Sequence, residues 1–218
     1  MIQSGRHAQR CARDIHCLQF IIGWQEPVAK RTSCIRARIK SRPTCAVSNY
    51  CQGIRVDRTS GSDEPLEHAA AALQSGEMVA LMPQGTIPRG LEFFNPQLQG
   101  RWGAARLAVQ TNATVIPIGL WGTEKVWPRS AKLPDMLNLS NPPLVSITVG
   151  APVELDRSGN SAETIAANTQ AIMNAISNLL PDESREQRVP TDAELRATFP
   201  SSYSGDLRAD TTRRPGTD

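Results

Sequence analysis

Apolar and polar positions fall into regular order only after residue 52. Gly53-Ile-Arg-Val-Asp-Arg58 alternates apolar with polar, the period of a half-buried strand. Ser60–Asp63 is a polar turn. Pro65 suits a first helical turn, and Leu66, Ala69, Ala70 and Leu73 then share one helical face, with Gly76 as the stop. Met78–Pro83 is a short apolar run that predicts a buried strand. A loop rich in Gly and Pro, Gln84–Gly90, follows, and more loop carries the chain to Gly100. Residues 102–111 predict a helix packed through Ala104, Ala105, Leu107 and Ala108. Thr114–Leu120 and Leu144–Val149 predict two more strands, separated by a long loop. Asn160 with Glu163 three positions on resembles a capping box, and Ile165, Thr169, Ile172, Met173 and Ile176 mark an amphipathic helix ending near Pro181. From Asp182 the chain is polar and rich in Pro, Arg and Asp, the composition of an irregular tail. The order β-α-β-α-β-β-α predicts an α/β layered fold, with a mixed, mostly parallel sheet flanked by helices.

Composition sharpens the break near Gly53. The 218-residue chain carries a net charge of +3, but residues 1–52 hold nine Lys/Arg against two acids, and the remainder holds 15 against 19. All five cysteines, Cys11, Cys17, Cys34, Cys45 and Cys51, lie in the same first 52 residues. They form no Cys-x-x-Cys pair and are odd in number, which argues against zinc and against a closed disulfide set. Three segments are therefore expected: a basic, Cys-containing piece over 1–52, poorly ordered or non-native to the domain; a patterned body over 53–181; and the tail over 182–218. A short basic helix around Ser33–Lys40 is one reading of the first piece, and contact of residues 30–42 with nucleic acid or anionic lipid is another. No apolar run reaches the roughly 18 residues of a membrane-spanning helix, and Met1–Trp24 lacks the apolar core of a signal peptide.

The loop after the second predicted strand carries the chemistry. Gly85-Thr-Ile-Pro-Arg-Gly90 has P-loop glycine spacing, but Leu91 and Glu92 stand where Lys and Ser/Thr would be needed, so the nucleotide reading fails. Met82-Pro-Gln-Gly-Thr-Ile-Pro-Arg89 instead resembles the Phe-Pro-Glu-Gly-Thr-Arg motif of the glycerolipid acyltransferases, of the 1-acylglycerol-3-phosphate acyltransferase type. Three neighbouring blocks resemble that family in the same order: Gly53–Arg58, Gly100-Arg-Trp-Gly-Ala-Ala-Arg106 and Val115-Ile-Pro-Ile-Gly119. The stretch Gly119–Arg129 looks like an actinobacterial branch of it. The resemblance spans roughly residues 53–205 and implies a fold of the glycerolipid-acyltransferase kind, N-terminally incomplete.

Such a family uses a His-x-x-x-x-Asp dyad: the histidine takes a hydroxyl proton and the carboxylate holds the imidazole tautomer. The chain has three histidines, and the positions five residues after His7, His16 and His68 are Ala12, Ile21 and Leu73. No catalytic residue is therefore assigned, and His68 reads as a helix-surface residue. The resemblance implies substrate contacts from Arg58, Gln84, Gly85, Thr86 and Arg89, where Gln84 replaces the motif glutamate, Ile87 replaces its arginine and Arg89 comes two residues later. Arg101 and Arg106 read as surface or structural residues, and core packing is the plainer reading for at least two of Trp102, Trp121 and Trp127. The implied reaction moves a fatty acyl group from acyl-CoA or acyl carrier protein to lysophosphatidate in phospholipid biosynthesis, with no metal or bound cofactor. It implies a cytoplasmic protein, peripheral at the membrane face, and impaired as it stands. Two other readings remain open: a non-catalytic lipid-phosphate-binding relic, and a nucleic-acid-binding protein acting through residues 30–42.

Overall fold

The computed structural model describes residues 20–24, 32–37, 53–56, 63–85, 87–131 and 140–208. Among these residues six strands form one sheet: β1 (Phe20–Trp24), β2 (Thr32–Ala37), β3 (Gly53–Val56), β4 (Met78–Leu81), β5 (Thr114–Trp121) and β6 (Ser146–Val149). Their spatial order is β3-β2-β4-β1-β5-β6. The helices are α1 (Glu64–Gln74), α2 (Gly103–Thr111), the one-turn α3 (Thr123–Val126), α4 (Ala162–Ser177) and α5 (Asp192–Ala197), with 3-10 turns at Gly90–Phe94 and Asp182–Ser184.

The seven elements expected after Gly53 are all present, in the expected order. The sheet, however, is not mostly parallel. β2 pairs parallel with β3 and β4, whereas β1 pairs antiparallel with β4 and β5, and β5 with β6. Four strands, β2 to β5, run one way; the counter-running β1 is inserted among them and converts two neighbouring pairings at once.

The sheet also extends across the compositional break at Gly53. Two strands of the basic segment lie inside this sheet, β1 between β4 and β5 and β2 between β3 and β4. Residues 32–37, which overlap the short helix that one reading placed around Ser33–Lys40, are extended. Phe20-Ile-Ile-Gly-Trp24 is a short apolar run without alternation, a pattern that does not by itself mark a strand. Register confirms its commitment: Ile21 stands opposite Leu81 on one side and Pro117 on the other. The remainder of 1–52 lies outside the described residues.

The core is a helical layer on this sheet. α1 contributes Ala69, Ala70 and Leu73, α2 contributes Ala104, Ala105, Leu107 and Ala108, and α4 contributes Ile165, Ile172, Met173 and Ile176. Val79, Leu81 and Val115 meet them from β4 and β5. Alanines on α1 and α2 let their backbones approach closely, while the larger side chains of α4 supply volume; each fully buried one is worth about 1.5–3 kcal/mol. Gly100, just before α2, sits so near α4 that a Cβ there would lie 2.6 Å from Met173 Cγ.

Polar groups at the helix ends are matched. Asn112 closes α2 in a left-handed conformation, φ 56°. Arg157 donates from Nη1 to the Ala108 carbonyl and from Nη2 to that of Ala113, at 3.0 and 2.9 Å, which satisfies carbonyls the helix leaves open. Buried Asn168 accepts from Asp156 N at 2.8 Å and donates to Asp156 O at 2.7 Å. α4 is capped one residue later than the sequence suggested. Ser161 Oγ, not Asn160, accepts from Thr164 N at 3.1 Å, since the helix begins at Ala162, which makes Ser161 the N-cap and Thr164 the third helical residue.

The expected irregular tail is structured through Arg208. Thr191 and Glu194 form a complete capping box on α5. Leu195 and Phe199 are fully buried, and Phe199 stacks on Tyr203 with centroids 4.2 Å apart. Thr198 Oγ1 accepts from Gly90 N at 2.9 Å and donates to Leu195 O at 2.7 Å, both within buried surroundings. Two large apolar residues and one hydroxyl thus hold a segment that is otherwise polar, which is why composition alone called it irregular. Replacing Phe199 with Ala should cost about 3–5 kcal/mol in chemical denaturation. Thr198→Val, which strands the Gly90 amide, should cost about 1–3 kcal/mol.

Candidate active site

β1 is antiparallel to both β4 and β5, so those two strands run in the same direction. Their carboxyl ends therefore emerge on one side of the sheet, the usual place for a ligand in an α/β fold. Just beyond β4 the chain turns at Met82–Gly85, with Gly85 N donating to Met82 O at 3.1 Å. Gly85 has φ +66°, and Arg101 Cδ would lie 2.9 Å from a Cβ at that position. The stem of Arg101 thus lies across the motif glycine, and its backbone N donates to Pro83 O at 2.8 Å. Residues beyond β5, including Glu124, Lys125 and Arg129, join the same site.

Between them lies a cavity of about 700 Å³. Ile87, Phe93, Phe94, Trp121 and Leu180 provide apolar wall, and Gln84 and Arg101 provide polar wall from the motif side. The C-terminal segment closes another side with Glu183, Arg188, Glu194 and Thr198. These groups are fixed by their neighbours. Trp121 Nε1 donates to Glu183 Oε1 at 2.9 Å. The Arg188 guanidinium lies 4.8 Å from the centre of the Phe94 ring, and its Nη1 donates to Glu194 Oε1 at 2.7 Å. Glu92 accepts from Asn95 Nδ2.

Gln84 lines the cavity, and Gly85 forms the adjoining turn. Arg89 does not line it; the residue is extended at the head of the Gly90–Phe94 turn, and Arg101 stands at the cavity instead. Arg58 and Thr86 lie outside the described residues, as do His7 and His16. His68 is exposed on α1, as expected, and is absent from the cavity wall. Among the described residues no histidine lines the cavity. The tryptophans depart from the core-packing reading. Trp102 is 50% exposed beneath the Arg106 guanidinium, Trp121 lines the cavity and Trp127 is half-buried. Arg106, read as structural, pairs with Asp63 at 3.0 Å. Arg101 was legible only as a residue of the Gly100–Arg106 block, because its placement follows from the tight turn at Gly85.

A family model described as Acyltransferase matches residues 7–121, more than half of the chain. The chain belongs to the acyltransferase family. Its match reaches back into the basic segment, well before Gly53, and ends at Trp121 on the cavity wall. Neither the comparison with curated proteins nor that with solved structures returns a match. The C-terminal wall of the acyltransferase cavity, Glu183 to Thr198, lies beyond the matched residues. Among the described residues no helix is long and apolar enough to cross a membrane.

That wall carries a carboxylate with a lowered pKa. The Thr191 backbone N–H, the Arg188 guanidinium and the Thr191 hydroxyl bring the Glu194 carboxyl from its ordinary 4.5 down to about 2. A carboxylate depressed on folding contributes stability above its unfolded value and loses it as pH falls through the folded one. Amide protection of Leu195 and Thr198 should therefore hold down to about pH 4.5 and decline from there toward about pH 2. Hydrogen exchange followed by NMR checks this. In Glu194→Gln the acid-dependent part of that decline should disappear.

Proposed function

We propose that this acyltransferase moves a fatty acyl group from acyl-CoA or acyl carrier protein to the free hydroxyl of lysophosphatidate, at the cytoplasmic face of a membrane, and that the chain is slow at doing so. The observation that carries the reading is the cavity at the carboxyl ends of β4 and β5, beside the Gln84–Gly85 turn of the family motif, with no histidine on its described wall. Its apolar side suits acyl and glyceryl carbons, and Arg101 suits a phosphate through the fork of its guanidinium.

In the transfer, the acceptor hydroxyl loses its proton as its oxygen attacks the thioester carbonyl. The tetrahedral intermediate then expels the thiolate, which takes up a proton, leaving an oxygen ester. A neutral hydroxyl is a weak nucleophile, and a positioned base contributes about 100- to 10,000-fold. Orientation in the cavity leaves a residual rate without that base. The same absence favours a second reading, in which the cavity binds a lipid phosphate without turning it over. A nucleic-acid role for residues 30–42 has less support, because 32–37 are engaged between β3 and β4.

Acyl-CoA consumption with lysophosphatidate as acceptor tests the proposal. The purified chain should turn over weakly, His68→Ala should leave the rate unchanged, and imidazole added to the buffer should raise it. Fast turnover lost on changing His7 or His16 would place a working base there and refute the impairment. Binding of lysophosphatidate with no transfer, even with imidazole, would favour the binding reading.

A further inference from the structure

β6 is an edge strand. Among the described residues it pairs with β5 on one side, and no strand lies beyond it. Gly150 N donates to Pro117 O at 2.9 Å, a pair that continues the β5–β6 register. Inward and outward backbone groups alternate along an antiparallel ladder. The N–H and C=O of Thr148 therefore point to β5, and those of Ile147 and Val149 point to the open side. The side chains are open as well: Leu144 is 81% exposed, Ile147 68% and Val149 63%. An exposed apolar edge is a template for pairing, and charged residues are the common way to blunt one. This one carries none, for Met136 to Val153 holds no charged residue.

The register also fixes which face is apolar. A Cβ on Gly119 would lie 2.9 Å from Leu179 Cβ, so Gly119 faces the helical layer. Ile118 and Leu120 face the other way, and with them their ladder partners Val149 and Ile147. Alternation assigns Val145 to the same row, and Ser146 and Thr148 to the opposite one.

This pattern commits the partner to a second copy. Val145-Ser-Ile-Thr-Val149 reads alike from either end: valine, hydroxyl, isoleucine, hydroxyl, valine. Turned about a twofold axis at Ile147, Val145 meets Val149 of the partner subunit, Ile147 meets its own counterpart, and Ser146 meets Thr148 of the partner subunit. Paired β-branched and paired hydroxyl side chains stabilise adjacent strands, and no like charges stand opposite one another. Pro143 and Pro152, which lack the N–H a ladder needs, bracket the run and confine pairing to it. A membrane surface fits less well, because interfacial contacts set Lys or Arg beside their apolar groups and this stretch has neither.

We propose that two copies of this chain associate through β6, antiparallel about a twofold axis at Ile147, so that their two sheets become one. Such a contact uses the same patch on both copies and closes at two. It is small beside the roughly 1,200–2,000 Å² of a standard interface, so the pair is weak and its population rises with concentration. The inference is independent of the lipid reading and draws on no residue of the cavity wall.

Sedimentation velocity of the full chain over rising concentration tests it. The mass should move from 23.7 kDa toward twice that value. Ile147→Lys sets two lysines against each other at the axis and should weaken association about tenfold or more. Val149→Lys should weaken it too, and adding Val145→Glu to that variant should restore it, since each lysine then meets a glutamate of the other copy. Within one chain positions 145 and 149 stand about 13 Å apart along a strand, too far to pair, so recovery reports the register and shows that the variants fold. A mass that stays at one copy at every concentration overturns the proposal. So does growth past two copies, or loss in Val149→Lys that the double variant does not recover. If the single copy instead floats with phosphatidylcholine vesicles, and Ile147→Lys abolishes this, the strand is a lipid contact and the pairing is refuted.

Discussion

The antiparallel insertion of β1 between β4 and β5 is the constraint on which the site depends. Because β1 opposes both neighbours, β4 and β5 run the same way although they never touch as a pair. The Gln84–Gly85 turn and the Trp121–Arg129 stretch therefore arrive on one side of the sheet and can face a single cavity. Had β1 been parallel to one of them, those two loops would leave at opposite ends. A short apolar run in the basic segment thus governs where residues far along the chain meet.

The cavity is finished by a segment that follows the family match. α5 brings Glu194 and Thr198, and Arg188 reaches the wall from the stretch before it. Its attachment combines two interactions of different kinds. Phe199 and Leu195 bury apolar surface regardless of pH, while the Glu194 capping box weakens with acid. The bond from Gly90 N to Thr198 Oγ1 then ties the segment to the turn that follows the motif loop. The Arg188 guanidinium over the Phe94 ring is a second link between the same segment and that turn.

Membership of the acyltransferase family and the make-up of the cavity bear on different questions. The matched residues include the sheet strands β1 to β5 and the motif turn, which is the frame of the site. Ligand preference depends on wall residues, and several of these, Glu124 and Arg188 among them, come after the match ends. The near balance of positive and negative groups on that wall distinguishes it from a plain phosphate site.

Local pattern was enough for the helices and for most strands. Ala69, Ala70 and Leu73 on α1, and Ile165, Ile172 and Ile176 on α4, keep the helical period because each helix buries a single face. Gln84 and Gly85 were legible because a motif is local in the chain. β1 was not, since Phe20–Trp24 is a short apolar run that shows neither strand alternation nor helical period. Nor was α5, whose six residues are too few to establish one. Arg101 over Arg89 was beyond any sequence reading. It depends on which groups folding brings within a few ångströms, and that distance is set by the packed sheet and helices rather than by position along the chain.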